Sequence, residues 1–196
     1  MPKQERSRRT YELVLDAAAA EFVRFGYSDA SLGQVVERTG LTKGALYGHF
    51  SSKQDLAAAL RRHLEAVVEE LLGDIGQRQG QGLAELGEFI CSVAERISAD
   101  VRLQAALRLA DEEFRAGGKP SVLLASVQEM SRKLLRETEA AGRLDVALPL
   151  DAFADLTVAL LFGAYHASGE LSGEELPQRV RNMWSVLAKL ATKGAG

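Results

Sequence analysis

The stretch from Ser31 to Phe50 reads SLGQVVERTGLTKGALYGHF, and it decides the fold. Ser31 followed three positions later by Gln34 is a capping box. In this arrangement the hydroxyl accepts a free backbone N–H, and the amide reaches back to the N–H of the capping residue. The box predicts a short helix, whose apolar face is formed by Leu32, Val35 and Val36.

A second short helix is predicted directly after the first. Gly40 can adopt the left-handed conformation that ends a helix and turns the chain sharply. Thr42 can cap the next helix, over Thr42–Gly48, and Leu46 is its inward anchor. Two short helices joined by a glycine-containing turn are typical of a helix-turn-helix, whose second helix fits the major groove of DNA.

The outward residues of this second helix suit DNA. Thr42 and Tyr47 carry hydroxyls that can donate to phosphates, and Lys43 can reach a phosphate or a guanine edge. Gly44 and Ala45 are small, so the backbone can approach the bases closely. Periodicity alone fits an ordinary helical hairpin equally well. The capping box, the glycine turn and the small-residue face together favour DNA binding.

Residues on either side of the motif extend the predicted interface. Residues 1–9 form a basic arm, in which Arg6 and Arg9 would follow the DNA backbone or enter the minor groove. The alternative for this arm is a frayed, solvated terminus. Lys53 is a candidate phosphate contact at the start of the next helix. His49 would either hold the helix junction or touch a phosphate.

The same region resembles the DNA-binding domain of the TetR family of bacterial one-component repressors. The resemblance rests on the run T-K-G-A-L-Y-x-H-F from Thr42 to Phe50 and on further matching positions outside it. Those positions are Phe22, Gly26, Tyr27, Ser31, Val35, Val36, Gly40, Leu41, Lys53 and Leu56. One position departs from the family, because Gly48 stands where a large aromatic residue is usual. We include Ser31 among the DNA-binding candidates.

Composition indicates an all-α protein. Four prolines, abundant Ala, Leu and Glu, and the lack of long alternating runs favour helices throughout. The one cysteine, Cys91, rules out an intramolecular disulfide and a cysteine zinc cluster. His49 and His63 have no ligand-type partner at i+4, so neither a metal site nor a cofactor is predicted.

Charge and hydropathy limit the location and the partners. The net charge is −3, yet residues 1–53 carry eight basic and six acidic side chains. An acidic body would leave the basic end to dock on DNA. The longest apolar run, Leu156–Ala164, is far shorter than the roughly 20 residues of a membrane span. The polar N-terminus has no secretory pattern, so a cytoplasmic protein without membrane partners is expected.

The sequence divides into a helix-turn-helix domain over residues 1–53 and a helical regulatory and dimerisation domain over residues 54–196. Glycines in the stretch 73–82 predict a loop or hinge. The last helix begins at either Ser172 or Pro177 and runs to about Thr192. The other predicted helices are Thr10–Phe25, Ser51–Leu72, Leu83–Ser98, Val101–Phe114, Ser121–Ala141 and Asp151–Ser168.

The helix Asp151–Ser168 is apolar almost all round, which predicts burial on two sides. A second subunit is the simplest partner for the second side. Two such C-terminal helices from each subunit could form a four-helix interface. The TetR resemblance likewise implies a homodimer and a helical bundle with a small-molecule pocket.

Two further runs are similar to the γ-butyrolactone autoregulator receptors of actinomycetes. These runs are Val101–Ala110 and Arg179–Trp184. In those receptors a tryptophan on the helix matching Ser121–Ala141 packs on the lactone, and Ser126 falls at that position here. Either the ligand differs, or the chain is a receptor-like regulator that binds no butyrolactone.

Composition alone does not identify the pocket. The polar candidates are Ser126, Gln128 and His166. His166 could equally form a surface pair with Glu170 at i+4. The apolar candidates are each more typical of plain core than of a ligand wall. They are Phe89, Val93, Leu109, Val127, Met130, Phe162 and Tyr165.

Three classes of function remain. The first is a dimeric repressor that binds a near-palindromic operator on double-stranded DNA and is released by a small-molecule effector. The second is an enzyme, which we do not expect, because no catalytic motif and no catalytic residue is recognisable. The third is a helical protein-interaction adaptor. A steep salt dependence of DNA binding would separate the first class from the third.

Overall fold

The computed structural model describes residues 3–76, 82–144, 149–167 and 175–191 of the 196-residue chain. These ranges contain nine α-helices and no strand, which confirms the all-α prediction. No helix within them is long and apolar enough to cross a membrane. The helices are α1 Lys3–Asp29, α2 Leu32–Thr39, α3 Lys43–Tyr47, α4 Lys53–Gly76, α5 Leu83–Ala99, α6 Val101–Arg115, α7 Val122–Ala140, α8 Leu150–Ala167 and α9 Leu176–Ala191.

The chain folds into two compact units. The first comprises Met1–Val67 and Asp100–Ser121, and the second comprises Val68–Ala99 and Val122–Gly196. Helix α4 runs without interruption from the first unit into the second. The functional division predicted at residues 53 and 54 remains a prediction. The compact units are divided elsewhere, because α6 packs along α1.

The first unit is built on the α1–α6 contact. Arg102 of α6 lies 2.5 Å from a carboxylate oxygen of Glu12 and 2.6 Å from one of Asp16, both on α1. Beneath these ion pairs the two helices bury apolar side chains, which supply the main stabilisation. The buried side chains are Val14, Ala18, Phe22, Leu103, Ala106 and Leu107.

Helix α1 is longer than predicted at both ends. Residues 3–9, predicted as an arm, are helical, because Lys, Gln, Glu and Arg are all good helix formers. Gly26, directly after the predicted end at Phe25, has non-helical dihedrals of φ 75° and ψ −174°, and the helix continues beyond it to Asp29. A side chain at this glycine would strike the Glu112 carboxylate of α6. That carboxylate accepts the next backbone N–H, from Tyr27, at 2.9 Å.

The second unit is centred on α5, which packs against α7, α8 and α9. Its inward face buries Leu86, Phe89, Ile90, Val93 and Ile97. Helix α8 buries Phe153 and Leu161 on one side and leaves Leu156 54% exposed on the other. One side of the predicted doubly buried helix is therefore open in the single chain.

The start of the predicted 73–82 loop is helical instead. Helix α4 continues through Gly73 to Gly76. A glycine costs a helix only about 1 kcal/mol, and the burial of Ile75 offsets this cost. Gly82, with φ 68°, precedes α5, and residues 77–81 lie outside the described ranges.

The C-terminal helix begins next to one of its two predicted starts, Pro177. Helix α9 begins at Leu176, so Pro177 occupies its first turn. The other candidate, Ser172, lies outside the described residues, and so does Glu170, the proposed partner of His166.

Candidate nucleic-acid interface

Helix α2 begins at the predicted cap. Ser31 is its N-cap, and the hydroxyl oxygen accepts the backbone N–H of Gly33 at 3.2 Å. The capping box predicted only that this oxygen accepts a free backbone N–H, and in a standard box the donor is one residue further on, at Gln34. Both N–H groups are free at a helix start, so the cap satisfies an orphan donor in either case.

The turn between α2 and α3 is set by Gly40. This residue has φ 64° and ψ 13°, the left-handed conformation predicted for it. Its N–H donates to the carbonyl of Val36 at 3.1 Å. The Thr39 hydroxyl donates to the carbonyls of Val35 and Val36, so the last carbonyls of α2 have donors.

Helix α3 is capped and anchored as predicted. The Thr42 hydroxyl oxygen accepts the N–H of Ala45 at 3.2 Å. Leu46 is completely buried and fixes the inward side of the helix. Phe50 follows in the core, where the Tyr11 ring of α1 stacks on it with centroids 4.8 Å apart.

The opposite side of α3 faces outward. Thr42, Lys43 and Gly44 are exposed, Tyr47 is 53% exposed, and Ala45 is half-buried. These are the side chains that the sequence assigned to DNA. They form one surface with a hydroxyl, an ammonium and a phenol around two small residues. Such a surface can donate to phosphates while its backbone approaches base edges.

The chain belongs to the TetR family. Residues 14–60 match the model of the family of bacterial regulatory proteins that bears this name. The A-factor receptor protein of Streptomyces griseus is 28% identical over 196 residues, which cover 99% of this chain and 68% of the relative.

Two solved structures extend this similarity to the fold. A γ-butyrolactone receptor described as ArpA-like is 27% identical, with a TM-score of 0.78 over 96% of this chain and 90% of its own. CprB of Streptomyces coelicolor, solved in complex with its biological operator sequence, is 28% identical. Its TM-score is 0.77 over 94% of this chain and 89% of its own.

The start of α4 is a second anchored junction. The Asp55 carboxylate accepts the N–H of Ser51 at 2.9 Å and also the Ser51 hydroxyl. The N–H of Asp55 donates to the Ser52 hydroxyl oxygen at 3.1 Å, and Ser52 with Asp55 three residues later therefore caps the helix. The hydrogen bonds from Ser51 hold the pKa of Asp55 below its ordinary value.

Lys53 has an intramolecular role that the sequence did not reveal. Its ammonium donates to the carbonyls of Ser28 and Ala30 at 3.0 and 3.2 Å, and it lies 4.7 Å from the Tyr27 ring centroid. These contacts tie α4 to the chain entering α2. The predicted phosphate contact of Lys53 remains a prediction. Carbonyls from a distant turn leave no mark in the local sequence.

Glu21 is a further residue that the sequence reading missed. It is 1% exposed, and one carboxylate oxygen lies 3.5 Å from the Arg38 guanidinium of α2. A buried carboxylate with a single cationic partner fixes α2 against α1, because separating the pair would strand a charge. Glu21 lies seven residues after Val14 and therefore on the same, buried side of α1. This spacing could have predicted that the carboxylate is buried.

The remaining predicted DNA contacts lie on α1 and at the junction after α3. Arg6 and Arg9 are exposed on the first turns of α1. His49 is half-buried, and its ring meets the Tyr11 ring edge-on at 6.1 Å between centroids. This contact matches the junction role predicted for His49. Its alternative role, at a phosphate, remains a prediction.

The predicted ligand residues are not one cluster. Phe89, Val93 and Val127 are fully buried in the core of the second unit, whereas Leu109 belongs to the first unit. Phe162 is half-buried and His166 is exposed on α8. Gln128 donates to the Asp155 carboxylate at 2.6 Å and therefore forms a polar seam between α7 and α8.

Two of these candidates share a groove. Ser126 and Met130 line a depression of about 400 Å³ together with Leu72 at the end of α4 and charged side chains of α7. As for metals, no group of three or more His, Cys, Asp or Glu side chains in the described ranges could hold an ion. His63 instead lies 2.7 Å from the Asp100 carboxylate.

Proposed function

We propose that this protein is a dimeric, sequence-specific DNA-binding repressor that a small-molecule effector releases from its operator. One observation carries the proposal. Helix α3 is anchored by buried Leu46 while Thr42, Lys43 and Tyr47 point outward from a correctly capped helix-turn-helix. The similarity to CprB, a protein solved on its operator, supports the same reading.

The proposed DNA contacts follow from this geometry. Lys43, Gly44 and Ala45 would enter the major groove, and Thr42 and Tyr47 would bind phosphates at its edges. Ser31, His49, Lys53, Arg6 and Arg9 complete the proposed contact set. A dimer would place its two α3 helices about 34 Å apart on a near-palindromic operator, one helical turn of DNA.

The proposed effector is a γ-butyrolactone-type signal. The similarity to an A-factor receptor and to a γ-butyrolactone receptor supports this class. Ser126, at the position where the receptors carry a tryptophan, favours the alternative of a receptor-like regulator with another ligand. In either case the effector acts only through different affinities for the DNA-bound and released states. The continuity of α4 from the first unit into the second offers a physical link between effector and DNA.

Two further aspects of the proposal follow from the family. The relatives are transcriptional regulators, and we propose that this chain likewise has no enzymatic activity. A regulator acts where the chromosome is, so we place it in the cytoplasm. A helical adaptor for protein contacts is the alternative class.

The first test is binding of the purified protein to DNA selected from a random-site pool. Replacing Lys43 by alanine should weaken binding to the selected site about tenfold, since one base or phosphate contact is lost. The matched control is Lys119→Ala, which removes an exposed lysine from the loop after α6. Equal affinity of the two variants would contradict the assigned role of α3.

Salt dependence separates the repressor from the adaptor. Phosphate contacts release counterions, so the affinity should fall steeply as salt concentration rises. Lys43→Ala should reduce this slope if the ammonium binds a phosphate, and should relax base preference if it binds a guanine edge. Failure to enrich any site from the pool would remove the repressor proposal.

A further inference from the structure

A cavity of about 460 Å³, open to solvent, lies between α5 and α9 in the second unit. This volume is within the range of small-molecule sites, which is roughly 300–1,000 Å³. The wall combines the indole of Trp184, the backbone of Gly87 and the thiol of Cys91 with the charged side chains of Arg181 and Glu95. The sequence-based candidates for the effector site are all different residues.

The indole of Trp184 is held in one orientation. The residue is 7% exposed, and its ring meets the Phe153 ring edge-on, with centroids 6.2 Å apart and planes at 82°. The Nε1 edge lies directly against Gly87, where any β-carbon would overlap with it. Glycine at position 87 therefore lets the indole nitrogen occupy the wall of the cavity.

This nitrogen carries an unused donor. Over the described ranges, no group accepts a hydrogen bond from the indole N–H of Trp184. The residue lies in the wall of an open cavity, where water can accept this hydrogen bond. A ligand that presents an acceptor oxygen to Nε1 would replace this water, and its apolar part would pack against the indole and Gly87.

The charges around the cavity limit the ligand further. The Arg181 guanidinium lies 3.1 Å from a Glu95 oxygen, so its positive charge is already compensated. Glu88 adds a second carboxylate to the wall. Two carboxylates against one guanidinium disfavour an anionic ligand.

We propose that this cavity is a second small-molecule site, which binds a neutral compound whose carbonyl oxygen accepts the hydrogen bond of Trp184 Nε1. The site is separate from Ser126 and Met130, which line the groove on α7. Its use as an effector site rests on the proposed function, whereas binding itself does not.

The cavity contains two reporters, because the chain has one tryptophan and one cysteine. The probes are γ-decalactone and 2-hexyltetrahydrofuran, which share ring and chain and differ in the carbonyl. The readouts on the full chain are Trp184 emission and the rate of Cys91 alkylation by iodoacetamide. The lactone should shift the emission, slow the alkylation severalfold and bind about fivefold more tightly than the ether, the effect of one neutral hydrogen bond.

The variant Trp184→Phe keeps an aromatic ring and removes the donor. With alkylation of Cys91 as the readout, the lactone should lose its advantage over the ether, while circular dichroism and thermal unfolding report an intact fold. Equal binding of the two probes to the wild-type chain would overturn the proposal, as would alkylation that neither probe slows. None of these measurements involves DNA, so their failure leaves the repressor proposal standing.

Discussion

At the scale of single residues, Gly40 determines how α3 leaves α2. Its left-handed conformation is unfavourable for any residue with a β-carbon, by roughly 1–2 kcal/mol. Space is not the limit, since a β-carbon there would meet no atom within 4 Å. Gly40→Ala should therefore lower the free energy of unfolding by about 1–2 kcal/mol through backbone strain alone, as measured by urea denaturation.

Gly33→Ala is the matched control for this prediction. Gly33 lies in the same helix without a positive φ, and a β-carbon there would make an ordinary 3.4 Å contact with the Ser31 hydroxyl. Alanine is the better helix former by about 1 kcal/mol, so this variant should be neutral or stabilised. Similar losses of stability in both variants would mean that dihedral strain is not the cause.

The role of a residue could be predicted from the sequence where its neighbours along the chain determine that role. Gly40, Thr42 and Leu46 could be assigned from the sequence, because caps and turns involve neighbours within four residues. Lys53 and Glu21 could not, because their partners come from other elements. A lysine beside a recognition helix looks like a phosphate contact until the carbonyls of Ser28 and Ala30 are placed beside it.

At the scale of helices, Asp100 joins α4 to α6. Its carboxylate caps α6 by accepting the N–H groups of Arg102 and Leu103 at 3.0 and 3.1 Å, and it lies 2.7 Å from Nε2 of His63 on α4. Burial works to raise the pKa of Asp100. The hydrogen bonds from His63 and the two N–H groups outweigh burial and hold this pKa below its ordinary value of 3.8.

This lowered pKa predicts the pH range in which the Asp100 charge stabilises the protein. A carboxyl group with a lower pKa in the folded state contributes stability above its unfolded pKa, and the contribution is lost as the pH falls through the folded pKa. Asp100→Asn keeps a capping oxygen and removes the charge. At pH 7 it should cost about 1 kcal/mol, and the difference from wild type should shrink below about pH 4.

Urea denaturation from pH 7 to pH 3 would measure this difference. The control is Asp111→Asn on the same helix, where the carboxylate forms an i,i+4 pair with Arg115 and caps nothing. It should cost only a few tenths of a kcal/mol, about the value of such a pair. A difference between Asp100→Asn and wild type that does not change with pH would contradict the role of the charge.

The sequence predicted where helices occur better than it predicted the residues at which they begin and end. The starts of α5 and α6 agree with the sequence, whereas α1 begins seven residues early and α4 continues through two glycines. Polar helix formers such as Lys3 to Arg9 carry no apolar stripe, so periodicity does not detect them. Gly73 reads as a break, but tertiary burial of Ile75 keeps the helix intact.

At the scale of the whole molecule, the division into units could not be read along the chain. The first unit includes α6, which lies far from α1 in sequence and close to it in space through Arg102. A linear boundary at residue 53 separates the motif from its neighbours but misses this long-range pairing. The predicted ligand residues are divided for the same reason, because Leu109 belongs to the first unit and Phe89 to the second.

The second unit also carries the features expected of a dimer. Leu156 of α8 and Met183 and Val186 of α9 are exposed by 54%, 41% and 60%. Large apolar side chains are left open on these two helices, and the four-helix interface predicted from the sequence would bury them. Burying them against a second copy would be favourable, at about 25 cal/mol per Å² of apolar surface.

Val186→Glu should therefore weaken the dimer more than tenfold, because a carboxylate would be buried there without a partner. A tenfold weakening corresponds to about 1.4 kcal/mol of binding free energy. Sedimentation equilibrium measures the dimer, and Val122→Glu is the control, because it changes a valine that is 41% exposed on α7. A monomer can contact only one half-site, so Val186→Glu should also lose affinity for a near-palindrome while keeping its affinity for a single half-site. If Val122→Glu dissociates the dimer and Val186→Glu does not, the interface lies on α7 rather than on α8 and α9.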